Sequence, residues 1–183
     1  MRKTTVSLIL LVIFSTIFIV GCAQQQPETS MPSVASEIPL ITGPDNQSLK
    51  SEAAKLAATF AEKIDGKALL AAKKEGRNST AFKAIRSQLE GFKANNTEIA
   101  FVYTFEQVNG TNRFIVPLYD NPDSPKFMQV YDEAPIELKL PLTEPIGVGP
   151  HTDHWGTFIS GFAPVNIGSN ETIMVLGVDI RIA

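Results

Sequence analysis

The stretch Trp155 to Ile180, WGTFISGFAPVNIGSNETIMVLGVDI, most constrains the fold. Its second part, TIMVLGVDIRI, is apolar apart from Thr172, Asp179 and Arg181, so it belongs in mid-sheet with both faces covered. Its first part, WGTFISGFAP, is aromatic and small, and is expected to stop at Pro164, which has no ladder donor. Gly168, Ser169 and Asn170 between them are turn formers, so the two parts read as a β-hairpin. Asp179 is the anomaly. A carboxylate in a buried strand is costly unless it is paired or hydrogen-bonded, which makes it a candidate ligand contact.

A mid-sheet strand needs a cover, and the preceding residues supply one. From Ser48, the positions Leu49, Ala53, Leu56, Phe60 and Ile64 recur at helical spacing, with Ser48 as N-cap and Gly66 as C-terminal stop. A short helix over Lys67–Lys74 follows. Another is expected over Thr80–Lys93, capped by Asn78 or Ser79, with Phe82, Ile85, Leu89 and Phe92 on one face. Ile99–Gln107 is aromatic and β-branched, Asn109-Gly110 is a hairpin signal, and the return strand is Arg113–Leu118, placed at an edge by Pro117. Residues 119–154 are Pro-rich and read as a long loop with a helical turn near Lys126–Glu133; IELKL fits either a strand or one turn of helix. Loops this long are usually functional. Helices, hairpin, loop, hairpin is an α+β order, not an alternating βαβ one.

The N-terminus addresses compartment. Arg2 and Lys3 precede an apolar run from Val6 to Val20, short for a membrane span and laid out as a secretory signal. Ile19-Val20-Gly21-Cys22 resembles the lipobox of bacterial and archaeal lipoproteins, with Val20 a less usual choice. The resemblance implies cleavage before Cys22 and a lipid on its sulfur; the other reading is an uncleaved signal anchor. The expected organisation is a leader at 1–21, a flexible polar tether at 22–45 and one domain at 46–183, outside the cytoplasm at the outer face of the cell membrane or in a periplasm. Cys22 is the single cysteine, so stability must come from a core rather than disulfides. The chain carries 16 basic and 19 acidic residues, which argues against a nucleic-acid partner. Asn46, Asn78, Asn95, Asn109 and Asn170 stand in Asn-X-Ser/Thr and are candidates for surface N-glycosylation, although loops rich in Asn, Ser and Thr give the same pattern by composition.

The Ala-rich helix ending in IDG, then FVYTF, HTDHWGTFISGFAPV and VLGVDI, together resemble the extracytoplasmic Cache family, PAS-like sensor domains of chemoreceptors and sensor kinases. The likeness spans about residues 48–181, with WG-x-x-x-SG-x-x-P and VLGVDI its most specific parts. It implies a long N-terminal helix on a central antiparallel sheet of about five strands, and a small-molecule pocket on the other face closed by the long loop. The usual receptor continues into a transmembrane helix; with Ala183 as the last residue, a membrane receptor or sensor kinase is the expected partner. The Arg-x-Trp-Tyr type signature of amino-acid-binding members is absent from the sequence.

Several chemistries are weighed against this. His151-Thr152-Asp153-His154 offers zinc-ligand types, but the chain holds no further His and no usable Cys to complete a site, so a polar loop with Asp153 on backbone amides or a ligand is preferred. Ser160 lies in ISGF rather than a Gly-x-Ser-x-Gly elbow, and Gly147-Val148-Gly149 leads into Pro150 rather than a phosphate-binding Lys-Ser/Thr. The expectation is a binding domain rather than an enzyme, with no metal and no cofactor. Strand parity puts Ile173, Val175, Gly177 and Asp179 on the pocket face and Met174, Leu176, Val178 and Ile180 toward the helix; Tyr103 is grouped with Ile99, Phe101 and Phe105. The expected ligand contacts are Tyr103, Tyr119, Tyr131, Asp153, Trp155 and Asp179, with Asp120 an option. An Asp favours a cationic ligand; Arg113 or Arg181 would suit a carboxylate. The alternative function is a surface lipoprotein using the fold for protein interaction, without a small ligand.

Overall fold

Carboxylate and hydroxyl caps set where the helices begin. In the computed structural model, which describes residues 45–118, 122–168 and 172–182, Asp45 caps α1 (Asn46–Ala61) by accepting from the Gln47 N–H. Asp65 caps α2 (Gly66–Glu75) through the N–H groups of Lys67 and Ala68, at 3.0 and 3.1 Å. Ser79 caps α3 (Thr80–Ala94) through Phe82 N–H at 3.1 Å. Two expectations are corrected. Ser48 lies inside α1 rather than at its cap, and Gly66 opens α2 instead of stopping α1. Gly66 is there for space: a Cβ would stand 2.0 Å from the Asn166 carbonyl oxygen.

Five antiparallel strands follow among the described residues: β1 (Ile99–Val108), β2 (Thr111–Pro117), β3 (Ile146–Asp153), β4 (Gly156–Val165) and β5 (Ile173–Arg181). Their order is β2-β1-β5-β4-β3, which gives the most apolar strand, β5, the central place. Among the described residues the fold is therefore α+β, three α-helices and a five-stranded antiparallel sheet. Asn109 and Gly110 carry φ of 50° and 73°, the left-handed pair that a tight two-residue hairpin requires. Pro117 sits on the edge strand, and Pro164 falls within β4, one residue before its end.

β3 corrects the reading of 119–154 as a continuous loop. IGVGPHTD lacks β-branched density and contains a proline, yet it pairs with β4 from Ile146 to Asp153, with a register shift between Val148 and His151 that takes up Gly149-Pro150. An edge strand with a bulge is where a proline is tolerated. The helical turn expected near Lys126–Glu133 is also absent. That segment runs along β2 instead: Phe114 N–H donates to Gln129 O, Met128 N–H to Phe114 O and Tyr131 N–H to Asn112 O, with a bridge between Arg113 and Val130. It thereby caps what would be an open sheet edge. IELK resolves as a 3-10 turn, Ile136–Lys139, whose Leu138 carbonyl accepts from Gln107 Nε2 at 2.9 Å and Asn112 Nδ2 at 3.3 Å.

The two faces of the sheet have separate cores. One contains Phe60, Leu69, Ile85 and Leu89 from the helices against Val102, Met174, Leu176 and Val178. α1 lies on it at close range, since a Cβ on Gly161 of β4 would stand 1.9 Å from the Ala53 carbonyl oxygen. The opposite face gathers Tyr103, Phe105, Phe114, Tyr131, Phe162 and Val175. The alternation expected along β5 is observed. Ile99 is the exception on β1: a register shift between Ile99 and Phe101 turns it into the helix-side core, away from Phe101, Tyr103 and Phe105. Glu106, buried on β1, is held by Lys73 of α2 at 2.5 Å.

Candidate ligand-binding site

Asp179 is fixed by register. On β5 it lies opposite Ser160 of β4, whose Oγ donates to Oδ1 at 2.6 Å. Two residues earlier, Gly177 lies opposite Tyr103 of β1, and a Cβ there would stand 2.6 Å from the Tyr103 ring. Glycine lets the ring lie across β5, and its hydroxyl then reaches Asp179 Oδ1 at 3.2 Å. Both bonds fall on Oδ1; Oδ2 accepts none among the described residues, although Asp179 is only 5% exposed. Burial pushes its pKa up to about 7, more than the Ser160 and Tyr103 hydrogen bonds and the charge of Arg181 pull it down; the negative Asp153 pushes the same way as burial.

A cavity of about 90 Å³ opens beside this carboxylate, room for several waters or a small organic molecule. Its walls are mainly apolar: Phe101 and Tyr103 from β1, Phe114 and Pro117 from β2, Tyr131 from the following segment, and Trp155 from the β3–β4 turn. Asp123, Ser124 and Pro125 close it from the loop side. Trp155 Nε1 donates to the Asp123 carbonyl at 2.6 Å, tying this closure to the turn. Tyr131 packs edge-on to Tyr103 and Trp155, and burial, with the charges of Asp179 and Asp153, pushes its phenol pKa up. Tyr103 is pushed up too, by burial first and then by Asp179, so both phenols stay neutral donors.

Of the expected contacts, Tyr103, Tyr131, Trp155 and Asp179 come together around the cavity. Asp153 does not line it. It stands behind, accepting Tyr131 OH at 3.2 Å on Oδ2 and Trp155 N–H at 2.8 Å on Oδ1, so its role is to position two walls. Tyr119 and Asp120 lie outside the described residues, as do Cys22, the leader, nearly all of the tether and Asn170. Asn46, Asn78, Asn95 and Asn109 are all exposed. Neither arginine weighed for a carboxylate ligand lines the cavity: Arg181 donates to the Trp155 carbonyl at 2.8 Å and covers the Phe158 ring at 4.9 Å, while Arg113 sits opposite Glu106. The HTDH residues diverge, with His154 paired to Glu133, Asp153 holding Tyr131, and His151 beside Phe158, where burial lowers its pKa. Among the described residues no group of three or more His, Cys, Asp or Glu is placed to hold a metal.

Sequence reasoning missed Ser160 and Phe114. Ser160 was legible only as a small polar residue on an apolar strand; that it meets Asp179 needed the β4–β5 register. No family model, curated protein or solved structure matches the chain.

Proposed function

We propose that the chain is a small-molecule-binding domain of the Cache, PAS-like sensor type, acting by binding rather than catalysis. The observation that carries this is the aromatic-walled cavity beside a buried, half-satisfied carboxylate, on the sheet face opposite α1 and closed by the long loop. A long N-terminal helix on an antiparallel sheet with a pocket behind it is the arrangement the sequence resemblance implies. In this reading the domain is a lipoprotein held through Cys22 at the outer face of the membrane, N-glycosylated on exposed asparagines. It presents its solute, or its ligand-shifted conformation, to a membrane receptor or sensor kinase.

A thermal-shift panel of amines, carboxylates, alcohols and amino acids tests the reading. A ligand at a hundredfold its Kd adds about 2.7 kcal/mol, several degrees in Tm. A panel without any stabilising compound would sink it. The protein-interaction alternative draws on Ile136, which opens the 3-10 turn, and Leu140, which follows it, 71% and 74% exposed. Loss of partner capture on replacing both with Ser, without loss of stability, would favour it.

A further inference from the structure

Resting on the reading that exposed asparagines carry N-glycans, we infer that Asn95 is a glycan site whose first sugar, an N-acetylhexosamine, docks against Phe92 in the groove between α3 and the end of α1.

The sequence places Asn95-Asn96-Thr97 where α3 stops, and Asn95 is the exposed C-cap residue of that helix. Helix positions three and four apart share a face, so Gln88, Gly91, Phe92 and Asn95 form one row. That row is one wall of a groove of about 360 Å³ open to solvent; Phe60 and Lys63 stand on the other side. The groove belongs to the helical layer, away from the cavity beside Asp179.

Three features of the groove fit a sugar ring. Phe92 stacks on Phe60 with ring centroids 4.3 Å apart and planes within 6°, and both rings line the groove. A pyranose offers an aromatic ring a face of C–H bonds, which combines apolar burial with a weak attraction to the π electrons. The second feature is Gln88 Oε1, which is buried and accepts no hydrogen bond among the described residues. A buried acceptor left alone is costly, and the acetamido N–H beside the anomeric carbon is the donor it lacks. The third is space: a Cβ built on Gly91 would meet nothing within 4 Å.

The point of attachment faces the same way. Asn95 Nδ2 donates one hydrogen to the Gly91 carbonyl at 2.8 Å, which holds the carboxamide at the groove. Its other hydrogen is the one a sugar replaces. In the transfer, Nδ2 forms a bond to C1 of a polyprenyl-diphosphate-linked sugar supplied by the secretory pathway. The C1–O bond breaks, the polyprenyl diphosphate leaves with the bonding electrons, and the displaced amide proton passes to a base of the transferase. The hydrogen bond to Gly91 survives, because one N–H remains.

The full chain is secreted by a eukaryotic host whose glycans begin with N-acetylglucosamine, and each glycan is trimmed enzymatically to that first sugar. Peptide mapping by mass spectrometry is expected to find it on Asn95. The Tm should exceed by about 3 °C that of Thr97→Ala from the same host, which keeps every other Asn-X-Ser/Thr site. Made in a host without N-glycosylation, the two chains should differ by less than about 1 °C, which assigns the gain to the sugar. Phe92→Leu keeps apolar volume but removes the ring, so the gain should vanish there; should that variant not fold, the Thr97→Ala comparison decides. Sugar on Asn95 without a gain in Tm, or a gain that survives Phe92→Leu, overturns the docking and leaves glycosylation standing. Sugar on other sites with Asn95 bare does the same. No sugar on any site overturns both.

Discussion

Replacing Asp179 by Asn tests how the site is built, because the buried acid charges the fold a calculable amount. Its pKa rises from 3.8 to about 7 on folding, chiefly through burial. Between those values the folded state keeps a proton that the unfolded chain releases, so stability is highest below about pH 4 and falls as pH rises through 7. Three units at about 1.4 kcal/mol each give about 4 kcal/mol of lost stability above pH 7. The amide oxygen of Asn still accepts from Ser160 and Tyr103 but does not titrate. Urea unfolding of both proteins from pH 4 to pH 8 reads the difference. Asp179→Asn should gain on the wild type with rising pH, by about 4 kcal/mol over the range. A constant offset would refute the reasoning, since the acid would then titrate alike in both states.

Further substitutions probe the scaffold. Gly177→Ala drives a Cβ to within 2.6 Å of Tyr103, so about 1–3 kcal/mol should be lost on urea unfolding, together with the Tyr103–Asp179 contact. Lys73→Ala strands Glu106 in the interior and should cost about 3 kcal/mol, with partial recovery when Glu106→Gln is added; an additive double variant would contradict the pairing. Asp65→Ala removes the cap of α2 and should cost about 1 kcal/mol in the same assay.

Much of this fold was legible where local chemistry and tertiary need agree. Ser79 and the Phe82, Ile85, Leu89 stripe place α3 almost to the residue, and the parity of β5 assigns its two faces. What escaped depends on partners distant in sequence. IGVGPHTD becomes a strand because β4 offers it a ladder and a bulge absorbs its proline, neither of which is a local property. A register shift between Ile99 and Phe101 reverses the face of Ile99, which strict alternation cannot foresee. In the site, Asp179 and the aromatics were identifiable by type. Asp153 was identifiable as polar, but its place behind the wall rather than in it follows from the β3–β4 turn, which brings its carboxylate to Tyr131.

A crystal structure grown with the most stabilising compound of the thermal-shift panel tests the central claim, that the cavity beside Asp179 is a binding site, most directly. It should show the compound inside the cavity, a polar atom within about 3 Å of the Asp179 carboxyl and its carbons against Trp155 and Tyr131. A cavity filled by the protein's own side chains, or the compound bound elsewhere on the protein, would contradict it.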